Sequence, residues 1–232
     1  MKPLIVKNSA QKAFVAAVLI SALLFATFLT LEPTVMTAAS ATNDFTIRQQ
    51  ITGEISFINP ADNVVMAGSI GGLLGGTSQG TTTVAVLTNN IDGYNMTIHF
   101  ASTTAMLGET QGGSIANYAP AVAGNPDVNF IVPTGTAGFA YTAYPTDTAD
   151  AVQRFEVNTT CNNGAGTPTL GSCWYGAANA TTPVTIVNRL NATPATGATT
   201  TIAFRVGVDA NPSPAVPEDY YTATATLTAT EN

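Results

Sequence analysis

Thr83-Val-Ala-Val-Leu-Thr88, Asn89-Asn-Ile-Asp-Gly93 and Tyr94-Asn-Met-Thr-Ile-His-Phe100 form the stretch on which the fold of this chain turns. Its second arm places Met96, Ile98 and Phe100 on one face and Thr97 and His99 on the other, the period of two that a half-buried strand requires. Its first arm is rich in valine and threonine, residues that suit a pleated surface. Asp92-Gly93 between the arms is a turn signal, because glycine takes positive φ without steric cost. The local reading is a β-hairpin pairing 83–88 with 94–100.

Strand patterns recur on both sides. Phe45, Ile47, Ile51, Ile55 and Phe57 keep one parity through residues 45–58, which predicts one long strand or two short ones bent at Gly53. Further strands are expected at 127–132, 138–144, 183–189 and 200–208. The last, Tyr220 to Thr230, puts Tyr221, Ala223, Ala225, Leu227 and Ala229 on one face and threonines on the other. Its small apolar side chains imply a thin contact, with a second sheet or with another subunit. Ser69 to Gly80 reads as a glycine-rich connection, and 104–126 and 144–182 read as loops. Asp147 is a candidate N-cap for a helical turn within 147–156. Asn211-Pro-Ser-Pro-Ala-Val-Pro217 interrupts the chain before the last strand, since proline is excluded from central strands. Regular strands with such turns predict an all-β fold: one antiparallel β-sandwich, immunoglobulin-like or jelly-roll-like, over residues 42–232.

The amino end differs in kind. Lys2, Lys7 and Lys12 precede an uncharged apolar run from Phe14 to about Leu31, and Ala39-Ser40-Ala41 follows. This is the order of a secretory signal peptide, residues 1–41, with cleavage after Ala41. An uncleaved anchor is the alternative, because a run of about 18 apolar residues reaches the lower limit for a bilayer span. Contact with membrane is then confined to 14–31, and either route exports the remainder to the cell surface or the medium.

Beyond Ala41 the chain has no lysine, and four arginines stand against thirteen carboxylates, a net charge of −9. Such a surface cannot neutralise a phosphate backbone, so no nucleic-acid partner is expected. Internal isopeptide staples and sortase-built pili both need a lysine amine, and nothing after Ala41 supplies one.

Cys161 and Cys173 are the only cysteines. In an exported chain the pair is read as a disulfide closing a turn-rich loop. A metal site would need more ligands, and the single histidine lies far away in sequence.

An apolar strand, a segment ending Gly75-Gly-Thr-Ser78, a Thr-rich strand, Thr88-Asn-Asn-Ile-Asp-Gly-Tyr94 and a closing Tyr-Thr-Ala-Thr-Ala-Thr-Leu-Thr-Ala-Thr follow one another here. This order resembles exported bacterial β-sandwich surface proteins and, distantly, WxL-type cell-wall surface domains, in which an Asn-Asn-x-x-Gly-Tyr hairpin and a Thr-rich last strand recur. The resemblance covers most of residues 44–230 and implies a sandwich fold and attachment to peptidoglycan. The chain departs from that pattern in having no Trp-x-Leu: its one tryptophan stands in Cys173-Trp174-Tyr175.

Signs of catalysis are few. His99 alternates to the solvent side of its strand. Asp147 with Asp150, and Glu218 with Asp219, are the nearest carboxylate pairs for glycoside chemistry, yet both sit in turn-like contexts that favour acids anyway. No nucleophile elbow or phosphate loop is present. No catalytic residue and no cofactor is therefore expected. Asn125-Pro-Asp127-Val-Asn129 imitates the start of a calcium loop but lacks the later glycine and glutamate, which leaves structural calcium as the one cofactor considered and no assigned metal ligand. Trp174, Tyr175 and Tyr118 are the candidate ligand-binding aromatics, with a glycan as partner, and Tyr220, Tyr221 and Leu227 mark a candidate assembly strand. The function expected is a non-enzymatic cell-surface or secreted structural protein that self-associates through edge strands or joins other envelope proteins. The alternative is an adhesin or carbohydrate-binding module built on the loop aromatics.

Overall fold

The computed structural model describes residues 9–30, 40–178 and 181–232. Lys2 and Lys7, Leu31, Ala39 of the expected cleavage site and Asn179 of an Asn-x-Thr sequence lie outside them. The chain divides into two compact units, 1–50 and 51–232.

In the first unit, helix α1 runs over Ser9–Thr30. Its stretch Ser9–Phe28 is long and apolar enough to cross a bilayer, since 20 residues rise about 30 Å. Its apolar side chains, Phe14, Leu23 and Phe28 among them, are exposed. Residues 40–50 carry no regular structure.

Among its described residues the second unit holds thirteen strands: β1 Ile55–Asn59, β2 Gly76–Thr88, β3 Tyr94–Phe100, β4 Met106–Gly108, β5 Ser114–Ile115, β6 Ala137–Pro145, β7 Glu156–Val157, β8 Thr167–Pro168, β9 Tyr175–Gly176, β10 Val184–Arg189, β11 Ala198–Val208, β12 Tyr221–Thr222 and β13 Ala225–Glu231. All pairings between them are antiparallel. One sheet is ordered β1-β2-β11-β6-β9 and a second β10-β3-β13, with smaller sheets β12-β4-β5 and β7-β8. The two larger sheets share one core: Val84, Val86, Tyr141, Ile202 and Val206 from the first meet Met96, Ile98, Phe100 and Ile186 from the second. Phe100 touches Phe139 edge-on at 5.5 Å and Tyr141 at 5.7 Å, an aromatic bridge of the kind that adds to area burial. The fold is all-β, as the alternation predicts.

The hairpin expectation is overturned. β2 and β3 do not pair: β2 takes β1 and β11 as neighbours, and β3 takes β10 and β13. Residues 89–93 form an arch between sheets, organised by Asn90, whose backbone N–H donates to Thr88 Oγ1 and whose side chain donates to the carbonyl of Gly93. Gly93 has φ +79°, and a Cβ there would lie 2.1 Å from the Arg189 carbonyl. A hairpin and an arch both need that glycine, so turn chemistry cannot choose between them. The choice comes from the two valines of β2 and the apolar face of β3, which bury best by facing each other across the core.

Other expectations change for similar reasons. Of 45–58 only Ile55–Asn59 is a strand, where it pairs with Val86 to Thr88 and neighbouring residues of β2; residues 45–51 alternate correctly but pair with no described strand. Gly76–Gly80 is not a connection but the start of β2, held by the register from Val208 opposite Gly76 to Ala198 opposite Val86. No strand occupies 127–132. The expected closing strand is two: β12 pairs with β4, and β13 pairs with β3 over Ala225–Glu231. Residues 138–144, 183–189 and 200–208 fall on β6, β10 and β11. The helical turns within 147–156 are short 3-10 turns at Thr148–Asp150 and Gln153–Phe155, the first capped by Asp147, which accepts from the Ala149 N–H.

Candidate functional site

The predicted aromatics do not make a platform. Trp174 is 1% exposed, so neither ring face is open to a sugar. It lies with Tyr118 and Phe130 over Ala140 and Ala203, on the face of the five-stranded sheet turned away from the shared core. Its indole N–H donates to the Gly171 carbonyl at 3.0 Å. Arg205 lies over both Phe130 and Trp174, which closes the cluster by cation–π contact. Gly207 makes room for it: a Cβ there would come within 2.7 Å of Phe130. The Tyr118 hydroxyl donates to Asp127 at 2.6 Å, and burial, with that bond, pushes its pKa up to about 12. Tyr175 is apart, stacked under Arg154 at 4.7 Å and edge-on to Tyr141. The cluster covers a sheet face.

Carboxylates singled out in the sequence are engaged locally. Asp127 also accepts from the Ala121 N–H, holding the 118–127 loop. Asp150 is bound to Arg189. Asp219 accepts from the N–H groups of Thr110 and Gln111 and from the Thr110 hydroxyl, and these bonds hold its carboxyl below the usual range. His99 is half-buried on the outer face of β3, opposite Thr226. Cys161 and Cys173 are joined, S–S 2.10 Å.

The proposed assembly residues lead to a different feature. β13 is an edge of its sheet, and beside it a cleft of about 260 Å³ opens between the two sheets. Ile98, Phe100, Ile202 and Phe204 form its apolar depth; Ala225 and Leu227 make one wall, and Val64 and Met66 the other. The second wall is fastened to β2, because the Asp62 N–H donates to Thr82 Oγ1 at 3.0 Å and the Ala67 N–H to the Gln79 carbonyl at 2.9 Å.

The backbone of β13 is unequally used. Ala101 N–H donates to the Thr224 carbonyl and Asn232 N–H to the Gly93 carbonyl, so even-numbered residues point their amide groups at β3. By the alternation of antiparallel ladders, those of Ala225, Leu227 and Ala229 point outward. No other described strand pairs with β13 on that side. Tyr221 and Leu227 are half-buried about this cleft, whereas Tyr220 is exposed and outside its lining. The apolar run Val64-Val65-Met66 was the available sequence signal for the far wall, and reading strands alone overlooks it.

No protein-family model, curated protein sequence or solved structure matches this chain.

Proposed function

We propose that this protein is an exported, non-enzymatic structural component of the cell surface or the medium, and that its copies associate through the β13 edge. The observation that carries the reading is that edge: a strand with outward amide groups beside an apolar cleft. Unpaired edges are templates for strand addition, and proteins that must stay single blunt them with lysine, proline or bulges. None of these stands within Ala225–Glu231. An amino-terminal apolar helix and a disulfide both suit export to an oxidising compartment. The Thr-rich outer face of β13 and the net charge of −9 favour solubility of the exported form.

The test is the mass and size of native protein from envelope and medium, by intact mass spectrometry and light scattering. The reading expects a mass beginning at Thr42, lowered by two hydrogens for the disulfide, in large homogeneous assemblies. Ala225→Lys, at an exposed edge position, is expected to leave the fold intact and dissolve those assemblies. A wild-type protein that stays monomeric at every concentration overturns the reading. Deleting 220–232 is a poor test, because β13 forms seven register pairs with β3 and its loss would uncover the core.

A further inference from the structure

We infer that the strand completing the β13 edge is the segment Phe45–Ile51 of a second copy of this chain, laid into the cleft between β13 and residues 61–66. The inference rests on the self-association reading above and names the partner and the segment.

Four observations lead to it. Phe45, Ile47 and Ile51 are 77%, 84% and 85% exposed, three large apolar side chains of one parity on a segment without regular structure. Such a row has strand periodicity but no sheet, and the cleft has the converse defect, an apolar lining and free amide groups but no strand. Lengths agree over the open part: the cleft is lined from Tyr221 to Leu227, a span of seven residues like that of 45–51, while the Glu231 end of β13 lies against Gly53. Sizes agree too, since the wall facing the incoming row carries Ala223, Ala225 and Leu227, mostly small side chains that leave room for phenylalanine and isoleucine. Charge favours the encounter: 45–51 carries Arg48 and no carboxylate, whereas 51–232 carries three arginines against twelve carboxylates, so the body attracts the segment.

A second copy is preferred over the chain's own segment because of how the body begins. Asn89 brackets Thr52 and Glu54, donating to the Thr52 carbonyl at 3.0 Å and accepting from the Glu54 N–H at 2.7 Å. Gly53, between them, lies against the Glu231 carboxylate, at the far end of β13 from Ala225. To run back along its own β13, the chain would have to reverse sharply within that bracket. A segment from another copy meets no such demand. Because donor segment and acceptor cleft are different surfaces, the contact is heterologous, and passed from copy to copy it builds a head-to-tail assembly, a filament where the rotation does not close.

The test uses the full chain, exported by its host, in wild-type form and as Phe45→Asp/Ile47→Asp. Both positions are exposed, so circular dichroism and thermal unfolding of the body should not change. The expected result is assembled wild type and a variant that remains monomeric at the same concentration. Copies bearing Ile47→Cys, mixed with copies bearing Ala225→Cys, should form an intermolecular cross-link, and a mixture with Thr185→Cys on β10 should not. If wild type assembles and the aspartate variant assembles equally, or the cross-link falls on β10, the donor-segment inference is overturned and the structural-subunit reading stands. If Ile47→Cys/Ala225→Cys in a single chain closes within a monomer, the segment completes its own sheet and the inference is likewise overturned. If wild type never assembles, both fail together.

Discussion

Arg189, the last residue of β10, donates from Nη1 to Asp150 Oδ2 at 2.7 Å with both side chains under 10% exposed. The bond ties the second sheet to the 3-10 turn that follows β6 in the first. Nε and Nη2 of the same guanidinium donate to the carbonyls of Asn191 and Ala192, so a buried cation is nearly saturated. Burial raises the Asp150 pKa, and the bond to Arg189 opposes that shift without cancelling it.

Arg189→Ala is expected to lower stability by about 3–5 kcal/mol, because it leaves Asp150 buried without its partner. Urea unfolding measures this, and a loss below about 1 kcal/mol would remove the pair as a link between sheets. Between its usual value and the raised one, the folded state binds the Asp150 proton more tightly. That group's contribution therefore declines as pH rises through the folded pKa.

The hydroxyls of Tyr94 and Tyr141 are buried and hydrogen-bond to no described protein atom. Tyr94→Phe and Tyr141→Phe are each expected to leave stability unchanged or raise it by about 1 kcal/mol. By contrast, Phe100→Ala should cost about 3–5 kcal/mol through loss of the aromatic bridge. Burial lifts the Tyr94 pKa to about 12. Stability from that group is complete below its usual 10.0 and is lost as pH rises through the folded value, which absorbance titration of tyrosinate would follow.

Gly93→Ala is expected to destabilise by more than about 1 kcal/mol, through the left-handed backbone alone. The clash with the Arg189 carbonyl adds to it. A calorimetric melting temperature equal to wild type would show that the arch relaxes freely.

Reducing the Cys161–Cys173 bond should cost about 3 kcal/mol, the chain-entropy value for a loop of this size. Thermal unfolding with and without reductant checks it, and the ladder that pairs β8, within the loop, with β7, just before it, should lose amide protection first.

Asp219 anchors Tyr220 and β12 to the 109–111 turn through four accepted hydrogen bonds. Its pKa is held below the usual 3.8, so its contribution is present above 3.8 and lost as pH falls through the folded value. Asp219→Asn should therefore flatten the fall in stability below that pH, and weaken the Thr110 and Gln111 amide bonds enough to speed their exchange at neutral pH. An acid profile identical to wild type would sink the assignment.

Much of the second unit was legible because alternation is a local signal. Met96, Ile98 and Phe100 had to share a buried face, His99 had to turn outward, and the strands at 138–144, 183–189 and 200–208 stood out for the same reason. The pairing of Cys161 with Cys173 was legible because the sequence holds no other cysteine. That Trp174 and Tyr118 cover a sheet face was not legible, because an aromatic near a loop looks alike whether it stacks on a ligand or seals a sheet. The face that Trp174 covers is formed by Ala140 and Ala203, far away in sequence.

The sequence by itself determined an apolar amino-terminal helix, an all-β body and the inward face of each long strand, since these depend on period and side-chain type within a few residues. Only the tertiary structure decided which strands are neighbours: that 89–93 arches between sheets, that Gly76–Gly80 pairs with β11, and that β13 is left as an edge beside an open cleft. Strand pairing joins residues distant in sequence, in β2–β11 and β3–β13 more than a hundred positions apart, and its outcome is set by which faces bury together across the core, a competition that no local pattern records.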